Sequence, residues 1–93
     1  MTRSISILGA TGSVGASTLD LIRRNAADWQ VDALTANCSA LDLAKLAKEF
    51  GAKLAVVGDE RCLPELREAL AGTSIETSGG AEALCEAAAR PVD

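Results

Sequence analysis

The stretch Ser4-Ile5-Ser6-Ile7-Leu8-Gly9-Ala10-Thr11-Gly12-Ser13-Val14-Gly15 decides the fold. Residues Ser4 to Leu8 form a short, β-prone, largely apolar run stopped by Gly9, which reads as a buried strand. Gly9, Gly12 and Gly15 follow at intervals of three, and Val14 to Asn25 reads as an amphipathic helix. Val14, Thr18, Leu21 and Ile22 share its expected inner face, while Asp20, Arg23 and Arg24 face out. Asn25 and Asp28 supply the stop. Glycines in this position have separable uses. One permits a tight turn, one admits a pyrophosphate against bare backbone, and one lets helix and strand pack closely. The first helical turn offers free N–H groups and a partial positive charge to a phosphate. Thr11 and Ser13 add hydroxyls at the same mouth. No Gly-Lys-Ser/Thr follows, so a Walker loop is excluded. Turn chemistry without a ligand is the bland alternative; the position between first strand and amphipathic helix favours a dinucleotide.

The pattern continues outward from this loop. Gln30 to Thr35 reads as a second strand, Ala40 to Phe50 as a helix with Leu43, Leu46, Ala47 and Phe50 inside, and Gly51 as its C-cap. Leu54 to Val57 is a third strand, ended by Gly58 and Asp59. Leu63 to Ala71 reads as a helix with Pro64 in its first turn, Thr73 to Ser78 as a weak strand around Ile75, and Ala81 to Ala89 as a helix stopped before Pro91. Strand and helix alternate throughout. The expectation is an α/β, Rossmann-like parallel sheet, covered on both faces, forming the first part of a doubly wound domain. Residues 1–93 then read as the front piece of something longer, without the complementary half of the sheet.

Composition narrows the function. The net charge is −4 and no run of Lys or Arg forms a patch, which disfavours nucleic acid and anionic membrane as partners. No stretch reaches transmembrane length and none resembles a signal peptide. Cys38, Cys62 and Cys85 are far apart, odd in number and without a Cys-x-x-Cys pair, and there is no histidine. Neither a disulfide framework nor a zinc site is expected, and three thiols fit a reducing cytoplasm. The missing histidine also removes the usual general base near neutral pH. Cys62 and Cys85 read as packing residues, Asp59-Glu60-Arg61 as a solvated loop and helix start, Glu82 and Glu86 as an exposed face, and Trp29 as an anchor.

The second strand tip addresses the choice between NAD and NADP. An acidic residue there holds the ribose hydroxyls of NAD, whereas basic residues and small donors take a 2′-phosphate. The tip is Thr35-Ala36-Asn37-Cys38-Ser39, with no carboxylate, and Asp32 comes too early. Asn37 and Ser39 can donate to a phosphate, so NADP is favoured although no cation is present at the tip.

Ile7-Leu8-Gly9-Ala10-Thr11-Gly12-Ser13-Val14-Gly15, continued by Ser17-Thr18-Leu19-Asp20, closely resembles the start of the 1-deoxy-D-xylulose 5-phosphate reductoisomerase family. Val31-Asp32-Ala33-Leu34-Thr35-Ala36-Asn37 resembles that family's second strand and its tip. The resemblance implies an NADPH-dependent oxidoreductase and isomerase that uses a divalent metal (Mg or Mn) to make 2-C-methyl-D-erythritol 4-phosphate in non-mevalonate isoprenoid biosynthesis. It implies pyrophosphate contacts from Thr11, Gly12, Ser13 and Val14, within a cofactor loop spanning Gly9, Ala10 and Gly15. It places Asn37, Cys38 and Ser39 beside the adenosine 2′-phosphate. Cys38 departs from the family, where a basic residue is usual, and Ser39 stands where Asn is frequent. The family's metal site and substrate-phosphate pocket would lie beyond residue 93, with the catalytic and C-terminal domains, so residues 1–93 alone are expected to be inactive. A cytoplasmic enzyme acting on a phosphosugar, with a homodimeric parent, is the reading that follows. A semialdehyde-dehydrogenase-type NADP enzyme shares a Gly-Ala-Thr-Gly-x-Val-Gly loop but lacks the Ser-Thr-Leu-Asp continuation. A non-catalytic dinucleotide-sensing module is the third reading.

Overall fold

The computed structural model describes residues 3–25 and 27–89. Strands β1 (Arg3–Ile7), β2 (Trp29–Ala36), β3 (Leu54–Val57) and β4 (Glu76–Gly79) alternate with helices α1 (Ser13–Arg24), α2 (Ala40–Phe50), α3 (Leu63–Ala69) and α4 (Ala81–Ala89). A 3-10 turn, Glu60–Cys62, precedes α3. The strands form one parallel sheet in the order β1-β2-β3-β4. Crossovers that step in one direction with the usual right hand lay their helices on one face. One core cluster accordingly joins Leu19 of α1, Leu43 of α2 and Leu66 of α3 to Leu34, Ala55 and Val57 of the sheet. Helix α4 covers the other face, setting Ala83 and Ala87 against Ala33, Leu54 and Val56. The Rossmann-like α/β expectation holds. A radius of gyration of 12.0 Å is that of a well-packed chain of this length, about 12 Å.

Local chemistry explains the boundaries. At the end of α1, Asn25 donates its backbone N–H to Ile22 and its side-chain amide to the Leu21 carbonyl. Gly51 closes α2 with φ of 63°, a left-handed cap suited to a residue without Cβ. Pro64 sits in the first turn of α3 as expected. Trp29 packs on the main core from the first residue of β2. Pro91 lies outside the described residues.

Three sequence expectations change. β1 is less buried than predicted: Ile7 alone is buried, and Leu8 lies past the strand and is exposed. The reason is position, since β1 lies at one edge of the described sheet and β2 shields only one of its sides. The inner face of α1 is Gly15, Leu19 and Ile22 rather than Val14, Thr18, Leu21 and Ile22. Val14 is 81% exposed and Leu21 61% exposed. Close contact at Gly15 fixes the helix's rotation and carries those two side chains outward. β4 begins at Glu76, later than the Thr73 start expected from sequence. Thr73 instead turns the chain, its hydroxyl donating to the Leu70 carbonyl and accepting from the Ile75 N–H, and Ile75 packs on the core just before the strand.

Candidate dinucleotide site

At the carboxyl ends of β1, β2 and β3, three connections meet: residues 8–12, 37–39 and 58–62. This is the end of a parallel sheet where nucleotides bind in open α/β folds. The glycine loop is held from β2. The Gly9 N–H donates to the Thr35 hydroxyl (2.9 Å), the Ala10 N–H donates to the Thr35 carbonyl (2.7 Å), and Gly12 N–H closes the turn on the Gly9 carbonyl (3.0 Å). Thr35 is buried, and this role was not read from sequence because it needs the loop folded back over β2.

The glycines now separate by what requires them. Gly9 has φ of +69°, the left-handed region, so the turn itself demands it. At Gly15 a Cβ would collide with the Gly9 carbonyl and come within 2.8 Å of the Ala10 Cα, which is backbone and cannot yield. Gly12 is different. Its φ of −85° suits any residue, and a Cβ there would meet the Gly9 carbonyl oxygen at an ordinary 3.4 Å. The fold accounts for Gly9 and Gly15 and leaves Gly12 as bare backbone facing solvent. It is also the N-cap of α1, no side chain caps that terminus, and no acidic residue lies in the first turn. The first-turn N–H groups therefore remain available to an anion. Ser13 and Val14 are exposed and Thr11 half-buried at this mouth, whereas Ala10 is buried beneath it. A groove of about 340 Å³ starts at Ala10 and Thr11 and runs between α1 and α2 toward Arg23 and Glu49. Those two side chains, paired at 2.6 Å, mark its far end.

Asn37, Cys38 and Ser39 are all exposed beside the loop. Backbone bonds extend the β2–β3 pairing past the strands, from Gly58 N–H to the Ala36 carbonyl (2.8 Å) and from Asp59 N–H to the Asn37 carbonyl (2.9 Å). The Asn37 amide oxygen lies against Gly58, where a Cβ would approach it to 3.2 Å. Asp59 starts the 3-10 turn by accepting the Arg61 N–H, and its carboxylate also accepts from the Arg61 guanidinium at 2.8 and 3.1 Å. These bonds hold the Asp59 carboxyl below its ordinary range. The helix-start reading of residues 59–61 is thus correct.

Of the expectations about the cysteines, Cys62 does pack on the main core, but the absence of a disulfide and the packing role of Cys85 do not hold. Cys38 and Cys62 are joined as a disulfide, with Cα atoms 5.6 Å apart across a separation of 24 residues. Asp59 lies with them, its carboxylate oxygen and the two sulfurs all within 4.8 Å of one another. Spacing along the chain held no sign of this, because the pairing depends on β2 and β3 lying side by side. Cys85 is free and exposed on α4.

A family model described as 1-deoxy-D-xylulose 5-phosphate reductoisomerase matches residues 5–93. The chain belongs to this family. It is 56% identical over 91 residues to the reductoisomerase of Rhodopseudomonas palustris and 53% identical to that of Afipia carboxidovorans, each match covering 98% of this chain and 22% of the relative. The chain therefore spans less than a quarter of the length of these curated relatives. The solved reductoisomerase of Zymomonas mobilis in complex with NADPH is 55% identical, with a TM-score of 0.93 over 95% of this chain and 23% of that one. A second solved reductoisomerase, in complex with NADPH, fosmidomycin and magnesium, is 36% identical with a TM-score of 0.84, over 92% of this chain and 21% of that one. Among the described residues, no helix is long and apolar enough to cross a membrane.

Proposed function

We propose that residues 1–93 are the N-terminal portion of the NADPH-binding Rossmann domain of a 1-deoxy-D-xylulose 5-phosphate reductoisomerase, with the catalytic and C-terminal domains outside this stretch. The observation that carries the reading is Gly12: a glycine with no use inside the fold, at an uncapped helix N-terminus, at the carboxyl end of a parallel sheet. Bare backbone there fits a pyrophosphate. In this reading the loop from Gly9 through Ala10, Thr11, Gly12, Ser13 and Val14 to Gly15 holds the pyrophosphate. Asn37, Cys38 and Ser39 sit at the adenosine 2′-phosphate. Bound NADPH supplies the hydride; these residues bind and orient it, and no residue among 1–93 is assigned a catalytic role.

The divalent metal fits no group here. Among the described residues, the cluster of metal-ligating side chains is Cys38, Asp59 and Cys62, a sulfur-dominated set unsuited to magnesium or manganese, which take oxygen ligands. A metal would belong to the rest of the enzyme, as would the phosphosugar substrate. The parent is read as a cytoplasmic homodimer, and the acidic charge of residues 1–93 disfavours nucleic acid and membrane as partners of this stretch. Membership of the family does not favour the semialdehyde-dehydrogenase and sensing-module alternatives.

Calorimetric titration of the chain, shown folded by a cooperative thermal transition, tests the reading with NADPH, NADP, NADH and ADP. NADPH and NADP are expected to bind more tightly than NADH and ADP. Cys38→Arg is expected to raise NADPH affinity by about 1–3 kcal/mol, the scale of a charged hydrogen bond. A folded chain that binds none of the four rejects the proposal.

A further inference from the structure

We propose that Cys38 and Cys62 are a reversible thiol–disulfide site that sets how well the strand-end mouth accepts a 2′-phosphate. The proposal rests on the reading of Asn37 to Ser39 as the 2′-phosphate end. Two separate connections are brought together by backbone bonds that do not depend on sulfur, Gly58 N–H to the Ala36 carbonyl and Asp59 N–H to the Asn37 carbonyl, while Cys62 N–H to the Asp59 carbonyl (2.9 Å) and Ala40 N–H to the Cys38 carbonyl (2.6 Å) shape each connection locally. The resulting Cα separation of 5.6 Å lies inside the 4.4–6.8 Å range that a disulfide spans. Cys38 is exposed and Cys62 half-buried, so a small thiol or disulfide can reach the pair. Disulfides in a reducing compartment are commonly transient and redox-sensing. A soft metal is the weaker occupant, since the third ligand, Asp59, is already held by Arg61 at 2.8 Å.

The exchange needs only a low-molecular-weight disulfide as oxidant. The Cys38 thiolate attacks one of its sulfurs, forming a mixed disulfide and expelling one thiolate. The Cys62 thiolate then attacks Cys38 sulfur and expels the second. Two electrons pass from the protein sulfurs to the oxidant, and the two thiol protons end on the released thiols. A second thiol pair reverses each step. In the bridged state the exposed 37–39 connection is pinned through Cys38 to Cys62, so Asn37 and Ser39 cannot reorient around an arriving phosphate. In the dithiol state the exposed 37–39 connection is released from Cys62.

The test uses the full chain carrying Cys85→Ser, which removes the remaining thiol, after treatment with oxidised glutathione or dithiothreitol. Peptide mass spectrometry is expected to find a Cys38–Cys62 cross-link in the oxidised sample only. Calorimetry is expected to show weaker NADPH binding in the oxidised state than in the reduced one, with NADH unchanged. Adding Cys62→Ser should make NADPH affinity the same under both treatments. Failure to cross-link these two cysteines, or equal NADPH affinity in the two states, overturns the proposal. A reduced chain that binds neither dinucleotide overturns the site reading instead and leaves a detected cross-link standing.

Discussion

At the scale of single residues, the glycine loop shows how one sequence pattern holds three different physical demands. Gly15→Ala puts a Cβ into the Gly9 carbonyl and Ala10 backbone, so it should destabilise the chain by about 1–3 kcal/mol in a denaturant titration. Thr35→Val removes the hydroxyl that accepts the Gly9 N–H and should cost about 1 kcal/mol by the same measurement. Asp59 is the pH-sensitive member of the neighbouring turn. Its carboxyl is lowered by Arg61, so its contribution to stability is present above the unfolded carboxylate value and is lost as pH falls through the folded one. A carbon-13 NMR titration should place the Asp59 midpoint below the ordinary range and move it upward in Arg61→Ala, which removes the guanidinium but keeps the backbone N–H bond. Glycines were legible in sequence because a turn, a close approach and a bare surface are local needs. Thr35, Asp59 and the cysteine pair were not, because each acts across strands that sequence order does not show to be neighbours.

At the scale of elements, helices and strands follow hydrophobic period closely, and the misreading of α1 is instructive. Periodicity assigns the inner face by counting apolar side chains, and a glycine contributes nothing to that count. Yet Gly15 is the residue that packs against the Gly9–Ala10 backbone of the loop, and Leu19 and Ile22 follow it inside at one and two turns further on. Leu19→Ala should therefore cost about 2–5 kcal/mol, whereas Leu21→Ala should change stability by less than about 0.5 kcal/mol. Comparable losses from the two substitutions in chemical denaturation would restore the face expected from sequence. The late start of β4 has a similar origin. Ile75 marks the strand in sequence, but pairing with β3 sets its register, Leu54 opposite Glu76.

For the whole molecule, protection should follow sheet position. β2 and β3 are flanked on both sides, and their residues are buried almost throughout; β1 and β4 lie at the edges of the described sheet. Amide hydrogen exchange should be slowest in β2 and β3 and faster in β1. Leu8 just past β1, Val14 and Leu21 on α1, and Leu41 on α2 are large apolar side chains left exposed among the described residues. The carboxyl ends of the inner strands then form a stable platform on which the glycine loop and the Asn37 to Ser39 tip are mounted. The central claim is that Gly12 is kept bare for a pyrophosphate. Gly12→Ser is the direct test, because serine caps a helix N-terminus well and so preserves the fold while occupying the N–H groups an anion would use. The measurement is NADPH affinity of Gly12→Ser against the unsubstituted chain by calorimetry. The account predicts a loss of about tenfold or more, corresponding to about 1.4 kcal/mol, with an unchanged or slightly raised melting temperature. NADPH affinity equal to that of the unsubstituted chain would contradict it.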